Sequence, residues 1–185
     1  MDGPLLGRTL PTFNVLHMTV KQALAEFPDV GVALSDRPMS GQMGRSWPWV
    51  EQIPVLGERL RATIAREDTR RPTMEVGVGV WTERVQRYYP LELIRTTNVI
   101  VDELDGRRVA LAFVPGWSAP TALYVDARTA RWDGDVLRFD NGDTLRGGVL
   151  YDVTGSRREM QRPMQLFTRW YGWALMFPTT EIRER

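Results

Sequence analysis

The spacing of apolar positions divides this chain into a helical first part and a strand-rich remainder. In "LHMTVKQALAEFP", Leu16, Val20, Ala23, Leu24 and Phe27 recur at i, i+4, i+7, i+8 and i+11. That is the stripe of an amphipathic helix, and Pro28 ends it because proline lacks the N–H a helix needs and restricts the residue before it. A second helix is predicted over Val55–Glu67, with Leu56, Leu60 and Ile64 on one side and "DTRRP" at Asp68–Pro72 as its stop. The opening, Gly3–Val15, reads as extended and turn-rich, and "DVGVALSD" as a short strand. Between the helices, Arg37–Pro54 is dense in Pro, Gly and Ser and predicts a long loop, the kind of segment that usually serves function or meets a partner.

From Thr73 the period changes from helical to two. "EVGVGVWTE" puts Val76, Val78 and Val80 on one face with Gly77 and Gly79 between them, and "VQRYYPLELI" follows a tight Thr82–Arg84 turn as the next strand. "NVIVDEL", the turn "DGR" and "RVALAFVPG" form a hairpin; "TALYVDA", "DVLRFD" and "TLRGGVLYDV" continue it as a meander through the turns "RWDGD" and "DNGD". The last segment returns to helix, with Trp170, Trp173, Ala174 and Phe177 at i, i+3, i+4 and i+7 before Pro178. So short a helix does not persist in water unaided, so its aromatic face is expected to pack on the sheet. Gly172 within it predicts a close backbone approach. The expectation is an α+β fold: an antiparallel β-rich meander with a few short helices packed on it, including an aromatic C-terminal helix. Its organisation is an N-terminal helix and loop segment, 1–72, packed on a β-rich domain, 73–185.

Composition narrows the chemistry. The 185 residues suit one domain, and 43% hydrophobic with 25% charged residues is the balance of a chain that buries a core. A net charge of +1 leaves no global field for nucleic acid. Lys21 is the only lysine, so the other cations are arginines, which reads as GC-rich coding or as use of the guanidinium fork at interfaces. With no cysteine, disulfides, thiolate metal sites and thiol nucleophiles are absent from the chemistry. The first residues lack the basic end and apolar run of a signal peptide, which points to the cytoplasm. No apolar run reaches the length of a membrane span.

No catalytic constellation stands out. His17 is the only histidine and has no companion ligands. Ser156 in "TGSRR" lacks the elbow and the base a serine nucleophile needs, and reads as a turn or helix start. Asp102 and Glu103 are adjacent in a strand, point to opposite faces and are expected to be solvated. Asp140–Asp143 and Asp126–Asp135 read as turns, so neither metal nor cofactor is predicted. The informative residues are aromatic and basic. Trp47, Trp49 and Trp117 sit in loops beside prolines, and tryptophan is enriched at binding hot spots. Arg70 and Arg71 could grip an acidic partner.

Two stretches echo each other: "VKQALAEFPDVGV" and "WYGWALMFPTTEI" align on Phe27-Pro28 and Phe177-Pro178. Tyr89-Pro90-Leu91, Asn98, Gly106, Asp152, Thr154-Gly155-Ser156, and Trp170, Trp173, Phe177, Pro178 and Thr180 together resemble the family known as domain of unknown function 3179, over most of Met74–Ile182 and more loosely at Gly3–Leu34. The resemblance implies an upstream version of the aromatic helix, which would account for the echo. Some members carry a Cys-Pro-x-Cys step where this chain reads "PGWSAPTAL", Pro115–Leu123, so thiol chemistry does not carry over. The resemblance implies a fold rather than an activity, and relatives are often exported, which makes the periplasm the alternative compartment.

The resulting expectation is a non-catalytic binding or scaffold subunit docked to a larger protein assembly, one peripherally associated with a membrane included, with Trp47, Trp49, Trp117, Arg70 and Arg71 as contacts. The alternative is an enzyme or small-molecule-binding protein with a pocket at the sheet mouth lined by Tyr88, Asn98, Trp117 and Ser156. A third expectation, half of a longer family architecture, predicts an exposed apolar patch near the first helix.

Overall fold

The structure, a computed structural model, describes residues 13–31, 33, 36, 57–64, 66–115 and 119–184. Of the predicted strand at Asp29–Asp36, Val32, Leu34 and Ser35 fall outside these residues and the described ones form no strand; Trp47, Trp49 and Trp117 fall wholly outside them. In chain order the elements are α1 (Val20–Glu26), α2 (Glu58–Arg61), β1 (Val76–Trp81), β2 (Gln86–Pro90), α3 (Leu91–Thr97), β3 (Val99–Leu104), β4 (Arg107–Ala112) and β5 (Thr121–Tyr124). They continue with β6 (Ala130–Asp133), β7 (Val136–Phe139), β8 (Thr144–Arg146), β9 (Val149–Tyr151), β10 (Arg157–Arg158), β11 (Met164–Arg169), α4 (Trp170–Met176) and β12 (Glu181–Ile182). The fold is α+β. The strands form three sheets, ordered β11-β1-β2-β12, β3-β4-β5 and β10-β9-β8-β7-β6. Every pairing is antiparallel except β12 with β2.

The two-residue period of β1 sets the layers. Val78 and Val80, with Tyr89 of β2 and Phe167 of β11, face Ile100, Leu104, Val109 and Leu111 of the three-stranded sheet. The opposite face of the same strands carries Gly77, Gly79 and Trp81, and there Tyr88 and Leu166 meet Trp170, Trp173 and Ala174 of α4. The far face of the three-stranded sheet, with Ala110, Ala112 and Leu123, packs on Leu137, Phe139, Leu145 and Leu150 of the five-stranded meander. Helix, sheet, sheet and meander therefore stack with three apolar seams between them.

The glycines of β1 are there to be covered. A Cβ on Gly79 would lie 2.1 Å from the Trp173 ring, and one on Gly77 would lie 2.5 Å from the Tyr89 carbonyl oxygen and 2.6 Å from the Tyr88 ring. The close approach expected at Gly172 is instead beneath α4, since a Cβ on Gly172 meets only the Thr168 hydroxyl at an ordinary 3.4 Å. The helix N-terminus is tied to the chain before β1: Trp170 N–H donates to the Glu75 carbonyl (2.8 Å) and Tyr171 N–H to that of Thr73 (3.1 Å). These bonds take up two of the donors a helix start leaves unpaired.

Three further expectations need correcting. "LELIRTT" does not extend β2. It forms α3, burying Leu91 and Ile94 one turn apart and ending in the left-handed Asn98 (φ 61°). Pro90 ends the strand, and the Thr96 and Thr97 hydroxyls donate to the Glu92 and Leu93 carbonyls (both 2.8 Å). The second helix is a single turn, Glu58–Arg61, rather than the stretch to Glu67. Without the long apolar face that tertiary packing rewards, a longer helix has little to hold it. Asp102 is not solvated, as its ion-pair network below shows. Among the described residues, no helix is long and apolar enough to cross a membrane.

The steric contrast between the two glycines gives a direct test. Gly79→Ala should destabilise the fold by about 2 kcal/mol or more, in the range of core overpacking, when measured by urea unfolding. Gly172→Ala should be neutral or stabilising by up to about 1 kcal/mol, because alanine is the better helix former. Equal effects of the two would refute the packing of Trp173 on Gly79.

Candidate functional site

Helix α1 is built inside out. Thr19 caps it: its hydroxyl accepts from the Gln22 N–H (3.3 Å), and the Gln22 side chain accepts in return from the Thr19 N–H (2.7 Å). This reciprocal capping box turns Gln22 toward the protein. One turn on, Glu26 forms an ion pair with Arg162, both side chains nearly excluded from water. Arg157 donates to the Glu26 carbonyl. Upstream, the Asn14 side chain donates to the Pro163 carbonyl (2.9 Å) and accepts from the Gln165 N–H (2.8 Å). Polar contacts thus fasten α1 and its leader to the entrance of β11. The apolar stripe read from the sequence points the other way: Val20 is 66% exposed, Leu24 49%, Phe27 43% and Val30 41%. Phe13 and Val15 extend the same apolar exposure along the leader. The exposed apolar patch expected near the first helix is present.

The echo between α1 and α4 holds at the level of backbone geometry. Both are seven-residue helices ending on a phenylalanine in nearly the same conformation, Phe27 at φ −122°, ψ 83° and Phe177 at φ −131°, ψ 76°. In each the phenylalanine N–H closes on the carbonyl four residues back, Ala23 or Trp173, and its own carbonyl accepts from Val30 or Thr180 (3.0 and 3.1 Å). The burial is reversed. Trp170, Trp173, Ala174 and Thr180 are buried in the second unit, while Val20, Leu24 and Val30 stand exposed at the matching places of the first and Ala23 is half-buried. Conversely, the exposed Met176 matches the buried Glu26. The face that α4 lays on its sheet is the face that α1 leaves open.

The basic and pocket residues chosen from the sequence are spent elsewhere. Arg70 pairs with Asp68 (2.7 Å), donates to the carbonyls of Pro178 and Thr180 (both 2.9 Å) and lies over the Trp170 ring at 5.3 Å. Arg71 pairs with Glu75 at 2.5 Å. Arg70 therefore braces the turn that follows α4, and Arg71 the segment before β1. Tyr88 is fully buried, its ring edge-on to Trp170 at 5.1 Å and its hydroxyl donating to the Glu75 carbonyl (3.0 Å). Asn98 is exposed at the end of α3, and its carbonyl accepts from the Trp132 indole N–H (3.0 Å). Ser156 belongs to the exposed turn between β9 and β10, where Asp152 Oδ1 accepts from the N–H groups of Thr154 and Ser156 (2.8 and 2.9 Å). Tyr88, Asn98 and Ser156 thus occupy three different parts of the fold, and no hydrogen bond among the described residues joins them. His17 stands exposed, edge-on to Phe167 at 5.7 Å.

Asp102 anchors the densest charge network. Its Oδ2 accepts from the Tyr89 hydroxyl (3.0 Å) and from Arg87 (2.9 Å), and Arg183 approaches Oδ1 at 3.7 Å. Arg87 also reaches Glu181 at 2.6 Å, so the cluster pins β12 and β2 to β3. Its lone pairs are taken up by fixed donors, which makes it a clasp between sheets rather than a reactive group. Burial, reinforced by the Glu75 charge, raises the Tyr88 hydroxyl pKa well above the ordinary tyrosine value; burial and then the Asp102 charge do the same for Tyr89.

No family model, no curated protein and no solved structure matches the chain.

The two buried tyrosines make stability fall with alkali. Their folded pKa values lie above the unfolded value of 10.0, so the unfolded chain releases these protons first. Their contribution is intact below about pH 10 and is lost as pH rises beyond it. Absorbance titration at 295 nm should show two of the five tyrosines ionising only as the protein unfolds. Tyr88→Phe should leave one such late group, and titration of all five near pH 10 in the folded state would contradict the packing described.

Proposed function

We propose that this chain is a non-catalytic binding or scaffold subunit that docks to a larger protein assembly, with the apolar face of α1 as its contact. One observation carries the reading: a capped, ion-paired helix and the turn after it present Val20, Leu24, Phe27 and Val30 outward, while Gln22 and Glu26 are turned inward. A solvated helix normally does the reverse. Covering these side chains is worth on the order of 1 kcal/mol each, enough to anchor a partner when several act together.

The occupant is a β-sheet face of the partner protein. Support comes from α4, whose matching face rests on paired strands with glycine beneath its central ring. Within this chain both faces of that sheet are already covered, one by α4 and one by the three-stranded sheet, so a second copy offers no vacant equivalent. The doubled helix–Phe-Pro unit also supports reading the chain as a divergent, cysteine-free member of the domain of unknown function 3179 family. The alternative, an enzyme pocket around Tyr88, Asn98 and Ser156, gains no support from three residues so separated.

Leu24→Glu with Phe27→Ser tests the docking face. Both residues are exposed, so circular dichroism should remain that of the wild type. In native extract, a partner held at stoichiometric level by the wild-type protein should be lost at least roughly tenfold by the double variant, in keeping with hot-spot truncation. A control, Leu175→Glu on the exposed side of α4, should retain it. The reading fails if the wild-type protein elutes alone or the double variant keeps its partner.

A further inference from the structure

A cavity of about 530 Å³ opens where the β3–β4 hairpin meets the five-stranded meander, and Arg108 lines it. Arg108 shares the face of β4 that carries Ala110 and Ala112, because side chains two apart in a strand point the same way. It therefore stands at the mouth of the seam between the two sheets. Among the described residues it is the one half-buried arginine whose guanidinium has no hydrogen-bond or ion-pair partner. The other half-buried arginines, such as Arg71, Arg87 and Arg162, are all engaged. Its nitrogens are not sealed from solvent, so the guanidinium is open to an anion that enters the cavity.

The rest of the cavity restricts which anion. Arg107 is stacked on the Tyr124 ring at 3.5 Å and bonded to Gln161 (3.1 Å), and Arg158 holds Asp143 at 2.6 Å. Neither cation is free. Phe139 and Leu150, each 5% exposed, and the half-buried Val125 contribute a small apolar part of its floor, while Glu103, Asp126 and Glu159 line the cavity from exposed positions. Three solvated carboxylates disfavour a dianion such as phosphate. A single carboxylate, matched to the flat fork of a guanidinium, meets less repulsion. Glu103 lies directly opposite Arg108 in the β3–β4 register, hence on the same face, yet outside ion-pair range. It is the built-in competitor for the same guanidinium.

We propose that this cavity binds a small monocarboxylic acid with an apolar body, its carboxylate on Arg108 and its body on Phe139 and Leu150. The site shares no residue with the α1 face, so it stands or falls independently of the docking role.

Amide NMR titration of the full chain at constant ionic strength tests it, with sodium benzoate and inorganic phosphate as the two probes. Benzoate should give saturable shifts in β4 and β9, and phosphate should bind more weakly. Arg108→Gln should weaken benzoate at least tenfold, with Arg108→Lys recovering part of the loss. Glu103→Gln should tighten binding about two- to fivefold by removing the competing carboxylate. Arg131→Gln, an exposed arginine of β6, should change nothing. The proposal is overturned by unsaturable benzoate shifts, by phosphate binding more tightly than benzoate, by Arg108→Gln matching the wild type, or by Glu103→Gln failing to tighten. Since Arg108 makes no side-chain bond, its variants should keep the wild-type spectrum in the absence of ligand.

Discussion

The indole of Trp173 rests on bare backbone at Gly79, so closely that a Cβ would fall 2.1 Å from the ring. Much of the architecture depends on that contact. Strand β1 must keep glycine on one face for α4 to seat and valine on the other to hold the three-stranded sheet. The alternation Val-Gly-Val-Gly-Val is thus two contracts in one strand. Trp173 then reaches Phe177 at 4.4 Å and Trp81 at 5.8 Å, and its N–H donates to Thr180 (2.9 Å). Thr180 in turn bonds the Gln86 carbonyl (3.1 Å). A single ring therefore connects β1, α4, the Phe-Pro turn and the approach to β12.

Arginine does the corresponding work for the polar parts. Arg70 and Arg71 brace the segment before β1, Arg87 joins β2 to β3 and β12, and Arg157 and Arg162 hold α1. Such ties use the several donors of one planar group to reach two or three acceptors at once, which a lysine ammonium does less well. The role of these arginines is accordingly internal bracing. It also isolates the exception: Arg108, half-buried and unengaged at the mouth of a seam.

The doubled helix–Phe-Pro unit shows one local motif under two tertiary regimes. In α4 the apolar face meets a sheet and the ends are satisfied by neighbouring carbonyls. In α1 the ends are satisfied by a capping box and an ion pair, and the same face is open. Backbone geometry is common to both because it follows from short-range hydrogen bonds. What each helix covers does not.

Much of the fold was legible in the residues themselves. The period of two in β1, the turns at Asp105-Gly106 and Asp140–Asp143, the stop signals Pro28 and Pro178, and the burial of Trp170 and Trp173 all follow from local sterics and hydrophobicity. The alternation of Leu, Leu and Ile after Pro90 concealed α3, because so short an apolar run fits either period. The fate of the polar groups was not legible either. Asp102, Arg70 and Tyr88 find partners distant in sequence, whereas Arg71 pairs with the nearby Glu75, and the orientation of α1 depends on Arg157 and Arg162, more than a hundred residues away. Helical spacing identifies an apolar stripe but carries no sign for inside or outside. That sign is set by which long-range contact the opposite face makes, and only the assembled chain decides it.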